Sequence, residues 1–291
     1  MCGIIGILGE GDVAAPIVEG LRRLEYRGYD SAGVAVVGAD GAIDRRRAVG
    51  KLRELEAVLA AAPLSGAAGV GHTRWATHGA PNERNAHPHA TARAAVVHNG
   101  IIENYRDLRA ELEASGSKFE SDTDTEVILQ LVDAALEAGH SPEAAFEAAL
   151  ARIRGAFAIA AVFAGDADLI AVARSGSPLA LGRGEGAAFL GSDAYALAPF
   201  TNRITYLEDG DWALLRRSGA EVRDRAGGRA VRAEKVADLS ASIVDKGEHR
   251  HFMAKEIYEQ PEVVAHALGA YVDPAARRAR EVEGVDFAKS T

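Results

Sequence analysis

The sequence predicts an α+β fold with a strand-rich second half. Helical periodicity alternates with hairpin-like strand pairs over the first 150 residues, and from 156 to 215 short apolar runs follow one another between turn glycines. No internal repeat or low-complexity linker interrupts this pattern.

The elements follow in order. Gly3–Leu8 is short, apolar and glycine-punctuated, as a buried strand is. Val13, Ile17, Val18, Leu21 and Leu24 share one face of a helix over 13–26. Strands over 34–37 and 43–49 flank a turn at Ala39-Asp40-Gly41. Leu52, Leu55, Val58 and Leu59 mark a second helix, ended by Pro63. Buried strands are expected at 69–73 and 94–98, with a polar loop over 78–91 between them. Helical spacing returns at 105–112. Thr123-Asp124-Thr125-Glu126 fits a capping box for a helix to Leu136. Ser141-Pro142 supplies a cap and a first-turn proline for a helix over 144–153. Strands are then expected at 156–163, 169–173, 179–181, 187–190, 204–207 and 212–215.

From about Ser240 the texture changes. Residues 245–260 are highly charged, a polar helix is expected over 261–268, and 274–285 is mostly Ala, Arg and Glu. This stretch is too poor in apolar residues for a core of its own, so the expected division is a domain over 1–240 and a charged connector over 241–291.

Composition limits the function. With 48% apolar and 26% charged residues the 291-residue chain is ordinary globular protein, neither disordered nor collagenous. A net charge of −9 argues against nonspecific nucleic-acid binding and against docking on anionic membrane. The N-terminus lacks a basic segment and a signal-peptide core, and no run reaches the ~18 apolar residues of a membrane span, so a cytoplasmic location is expected. The sole cysteine, Cys2, excludes internal disulfides and CxxC motifs and suits a reducing compartment.

Cys2 reads either as a small buried hydrophobe or as a nucleophile. If Met1 is removed, the α-amine of Cys2, with an ordinary pKa of about 7.7–8.0, can take the thiol proton near neutral pH. Arg74, Trp75, Thr77 and His78 follow a predicted strand, either as a carboxylate-binding loop or as a solvated loop with a core tryptophan. Asn99-Gly100 after an apolar strand reads first as a turn; the alternative is an oxyanion hole made by the Asn99 amide and the Gly100 N–H. Asp124 either favours a helix dipole or pairs with an ammonium, so that Arg74 and Asp124 together would hold both charged ends of an α-amino acid. His72, His78, His87, His89 and His98 lack metal-ligand spacing, and neither a metal nor a cofactor is expected. The glycines at 182–186 suit a hairpin turn better than a phosphate loop. Arg45-Arg46-Arg47 suits a solvated face, and the polar segment 26–31 is a loop near the site or a simple turn.

Taken in order and spacing, five segments resemble the class-II glutamine amidotransferases. They are the Cys2-Gly3-Ile4-Ile5-Gly6 opening, 24–33, 71–79, His98-Asn99-Gly100 and 121–126. The resemblance implies an αββα four-layer sandwich of the N-terminal-nucleophile hydrolase type. It implies that Cys2 attacks the glutamine side-chain amide with its α-amine as base, that Asn99 and Gly100 form the oxyanion hole, that Arg74 and Asp124 bind the α-carboxylate and α-ammonium, and that Thr77 and His78 line the pocket. Trp75 would border the ammonia route. Segment 252–261 resembles the connector of the branch that transfers the amide nitrogen to fructose 6-phosphate. That branch's sugar-isomerase half has no counterpart in these residues, so the expected activity of the chain alone is glutamine hydrolysis to glutamate and ammonia. The longer enzyme is expected to be a homodimer and the fragment a monomer. The rival readings are the glutaminase of an amidophosphoribosyltransferase, a non-catalytic amino-acid-binding regulatory domain, and a metal-dependent hydrolase.

Overall fold

Alternation along the strands builds two sheets with apolar residues on both faces. The computed structural model describes residues 2–237 and scattered positions between 254 and 279. The eight-stranded sheet runs in the order β14 (Glu234–Val236), β11 (Arg203–Tyr206), β9 (Ala180–Arg183), β10 (Ala188–Gly191), β1 (Gly3–Leu8), β4 (Ala68–Arg74), β2 (Ser31–Val37), β3 (Ile43–Val49). The six-stranded sheet runs β13 (Gly219–Arg223), β12 (Trp212–Arg216), β8 (Asp166–Ser175), β7 (Gly155–Phe163), β6 (Ala94–Ile102), β5 (His89–Ala90). The ladders within both sheets are antiparallel.

Three apolar layers separate four layers of structure. Ile4 and Leu8 of β1, Ala35 and Val37 of β2, and Ala158, Ala160 and Val162 of β7 meet between the sheets. The alternate residues Ile5, Ile7, Val34 and Val36 face outward against α1 (Ala14–Arg22), α2 (Leu52–Ala61) and the short α6 (Ala194–Leu197). On the other side Phe157, Ile159, Ala161 and Phe163 face α3 (Tyr105–Ala114), α4 (Thr125–Glu137) and α5 (Pro142–Leu150). Period-2 alternation therefore serves two cores at once, which is why these strands read as continuous apolar runs. The result is the expected α+β, αββα sandwich.

Four details depart from expectation. The helix over 13–26 ends at Arg22, and a 3₁₀ turn, Glu25–Arg27, follows it. Asn99-Gly100 is not a turn: both residues lie inside β6, paired with Ala158 and Phe157. The capping box does not form. Asp124 is the N-cap of α4 but makes no side-chain cap bond, and Glu126 turns away to accept from the Glu120 and Ser121 N–H groups. The edge strands β13, half exposed, and β14, exposed throughout, are mostly polar and lack the apolar signal of the inner strands. The Ser141 cap does form, accepting from the Ala144 N–H.

The chain divides into two compact units, Met1–Ala241 and Ser242–Thr291. In the second, Val272–Asp273 (β15) pairs with Arg278–Ala279 (β16). The readings for 245–260, 261–268 and 274–285 fall mostly outside the described residues.

Candidate active site

β1 lies in the middle of the larger sheet, and its start carries Cys2 into the chain that leaves β4. Gly3 is paired with Thr73, so the antiparallel register carries Cys2 level with Arg74, one residue from Trp75. The Trp75 N–H donates to the Cys2 Sγ at 3.1 Å, and the thiol lies 3.4 Å from the Trp75 carbonyl oxygen. Burial pushes the thiol pKa up; the Trp75 N–H pulls it the other way by less. A thiol in this setting needs a base before it can attack.

β6 of the opposite sheet brings Asn99 and Gly100 to the same place. The Asn99 Nδ2 donates to the Cys2 carbonyl oxygen at 3.2 Å. Gly100 has φ +121°, and a Cβ there would lie 2.0 Å from the Ala156 carbonyl oxygen. Only glycine fits this step of the strand.

Around Cys2 a small pocket is lined by Arg74, Trp75, Thr77, His78, Gly100 and Asp124, together with His87, His98, Thr123 and Thr125. Its volume is about 20 Å³, room for about one water. Arg74 is buried and donates to the carbonyls of His78, Gly79 (3.2 Å) and Ala80 (3.4 Å), which ties down the loop after β4. A guanidinium has five N–H donors, so part of the fork stays available to a carboxylate. Asp124 accepts from the Ile102 N–H at 2.8 Å, and its other oxygen lies 3.8 Å from the His78 Nδ1. The missing cap bond leaves this buried carboxylate aimed at the pocket and not at its own helix. Trp75 is 53% exposed and lies over Gly28, where a Cβ would sit 2.6 Å from the indole ring.

Three participants went unassigned in the sequence. Arg27 reaches the Cys2 carbonyl (3.4 Å) and forms an ion pair with Asp193 (2.8 Å). Asp30 accepts from the Ala76 N–H at 2.6 Å, so the polar segment 26–31 lies beside the site. His72 bonds Asn99. The sequence marks the 26–31 segment as polar but does not show which way it faces, because each partner comes from a distant element. His72, His87, His89 and His98 are all buried, and burial lowers each pKa, to about 3 for His72 and about 4 for His98. His98 bonds Thr125 and His89 bonds Thr123. Among the described residues no group of three or more His, Cys, Asp or Glu is placed to hold a metal. A larger cavity of about 530 Å³ lies away from Cys2, beside Arg154, Arg174, Ser175 and Trp212.

Comparison with known proteins adds to this geometry. Residues 72–199 match the glutamine amidotransferase domain family. The chain is 59% identical, over 96% of its length, to a glutamine–fructose-6-phosphate aminotransferase of Bradyrhizobium diazoefficiens, covering 46% of that protein. It is 56% identical, over 99% of its length, to the Brucella suis protein of the same name, covering 48% of it. The chain thus spans about half the length of the curated relatives it matches. Among solved structures, the Bacillus subtilis glutamine phosphoribosylpyrophosphate amidotransferase aligns with TM-score 0.65 and 25% identity, over 77% of this chain and 49% of that one. A class-II glutamine aminotransferase domain protein from Silicibacter pomeroyi shares the fold at TM-score 0.53 and 18% identity, over 77% of this chain and 99% of that one. Fold, site geometry and relatives agree: the chain carries a glutamine amidotransferase domain.

Proposed function

We propose that residues 1–240 form a glutaminase domain that hydrolyses the side-chain amide of glutamine through a thioester on Cys2, and that 241–291 begin the connection to an ammonia-using half. The observation that carries the reading is convergence. The Trp75 N–H meets the Cys2 thiol, and the Asn99 amide from the opposite sheet meets the Cys2 backbone.

In this reading Met1 is removed and the Cys2 α-amine takes the thiol proton. The thiolate attacks the glutamine side-chain carbonyl carbon. The Asn99 Nδ2–H and Gly100 N–H stabilise the oxyanion. Collapse breaks the C–N bond, and the leaving nitrogen takes the proton from the ammonium and departs as ammonia. Water, losing a proton to the same amine, then cleaves the thioester and regenerates the thiol with glutamate. Arg74 binds the α-carboxylate and Asp124 the α-ammonium, while Thr77 and His78 line the pocket and Trp75 borders the exit.

The second substrate is proposed to be fructose 6-phosphate, bound in the half of the relatives' length that these residues do not span. The 54–59% identity to aminotransferases of that name favours it over a phosphoribosyl acceptor, whose named neighbour shares 25%. A homodimeric full-length enzyme in the cytoplasm is part of the same proposal.

The test is glutamate release from glutamine by protein whose N-terminus is verified by intact mass. Wild type should release glutamate and Cys2→Ala should not. A diazoketone analogue of glutamine should add to Cys2, which a purely amino-acid-binding domain would not permit. Folded, processed wild type that releases no glutamate would overturn the reading.

A further inference from the structure

His72 lies on β4, level with Ile4 on one neighbouring strand and Gly33 on the other, and is fully buried. Ala68 and Val70, at alternate positions of the same strand, face the core between the sheets, and His72 continues that face. Its imidazole crosses the gap to β6. There the Nε2 lies 3.0 Å from the Asn99 Oδ1 and 3.0 Å from the His98 carbonyl oxygen.

The chemistry of these partners fixes the proton. The Asn99 Nδ2 faces the Cys2 carbonyl, which only accepts, so the amide oxygen faces His72. An amide oxygen and a peptide oxygen cannot donate, so the Nε2 carries the hydrogen and shares it between them. The His87 ring, with its centroid 4.2 Å from that of His72, packs against the imidazole. The His72 Nδ1 is buried and has no hydrogen-bond partner, so turning the ring would surrender both bonds and gain none on the present geometry.

We propose that His72 is a positioning residue of the amide-hydrolysing site: its Nε2–H holds the Asn99 side chain with Nδ2, and not Oδ1, toward the nucleophile. This rests on the glutaminase reading above. An asparagine amide has two orientations that differ by a half-turn. In one it offers a donor to a developing oxyanion; in the other it offers a second oxygen, which repels it. Removing the His72 donor frees the second orientation and lowers the fraction of molecules in the productive one. The loss falls on the chemical step, because His72 touches neither the thiol nor the pocket that takes the amino-acid end of glutamine.

The experiment is a double-mutant cycle on correctly processed protein, with kcat and KM for glutamine and the rate of Cys2 alkylation by iodoacetamide. His72→Leu should lower kcat by roughly 10- to 100-fold, within the cost of losing one oxyanion donor, with KM and alkylation within about twofold. His72→Gln, which can supply an N–H, should recover part of the loss. In an Asn99→Ala background, His72→Leu should cost nothing further. Equal losses in both backgrounds, or a change in KM or alkylation matching that in kcat, would overturn the proposal and leave the glutaminase reading standing. An inactive wild type overturns both. If His72→Leu does not fold, ¹⁵N-histidine NMR of the wild type decides: His72 should be the Nε2–H tautomer, and an Nδ1–H tautomer refutes the assignment.

Discussion

The side-chain amide of Asn99 donates to the backbone carbonyl of Cys2 across 3.2 Å, joining the two sheets at the start of β1. A donor that already meets the nucleophile's own backbone needs little rearrangement to meet an oxyanion formed on its side chain. Asn99→Ala should therefore reduce kcat for glutamine by about 10²–10³-fold, or about 2.7–4 kcal/mol of transition-state stabilisation. Asn99→Asp should be as poor, because a carboxylate cannot donate and would face a carbonyl oxygen. Both should keep wild-type circular dichroism. Activity within tenfold of wild type would remove Asn99 from the oxyanion hole.

The environment of Cys2 makes a prediction about its reactivity with pH. Burial raises the thiol pKa above its ordinary value, so at neutral pH the group is protonated and unreactive on its own. In protein that keeps Met1, iodoacetamide labelling of Cys2 should be slow at pH 7 and still rising at pH 9. Removing Met1 should both speed labelling near neutrality and switch on glutamine hydrolysis. A labelling rate that levels off below pH 7 would show a thiolate stabilised by some other means.

The sandwich was legible because its inner strands are buried on both faces. Residues 4–8, 34–37 and 156–163 carry that signal without help from partners. Where local chemistry and long-range pairing conflict, the local reading failed. Asn99-Gly100 has turn propensity, yet nine residues of β6 pair with β7 straight through it. Asp124 follows a cap-like pattern, yet its carboxylate binds the Ile102 N–H from another element. Cys2, Arg74 and Asp124 could be nominated from residue type alone. Arg27, Asp30 and His72 could not be assigned, because their partners come from other elements and only the folded chain brings them together. The sequence shows which groups have the needed chemistry; the antiparallel register decides which of them meet.

Gly100 tests how tightly that register is built. Its φ of +121° and the 2.0 Å approach a Cβ would make to the Ala156 carbonyl leave no room for alanine without separating β6 from β7. The backbone conformation alone costs a non-glycine residue of order 1–3 kcal/mol, and the clash adds to it. Gly100→Ala should lower stability by at least about 2 kcal/mol in urea unfolding and abolish glutamate release. An unchanged urea midpoint would mean that the strand yields more easily than its pairing implies.

The buried histidines set the acid side of the stability profile. Burial is the chief cause that lowers the pKa of His72 to about 3 and of His98 to about 4, and it takes His87 and His89 well below the ordinary value. In the unfolded chain each would titrate near 6.5. Between that value and its folded pKa, each imidazole binds a proton only when the chain unfolds. Their contribution is therefore fully present above about pH 7 and declines as pH falls, by up to about 1.4 kcal/mol per pH unit for each histidine. The decline continues until the folded-state pKa is reached, about 4 for His98 and about 3 for His72. The urea midpoint should thus drop clearly between pH 7.5 and pH 5, a window above the range where most carboxylates titrate. A midpoint that stays level across that window would mean that protons reach these imidazoles in the folded protein. The neutral stack behind Asn99 would then no longer be fixed in one tautomer.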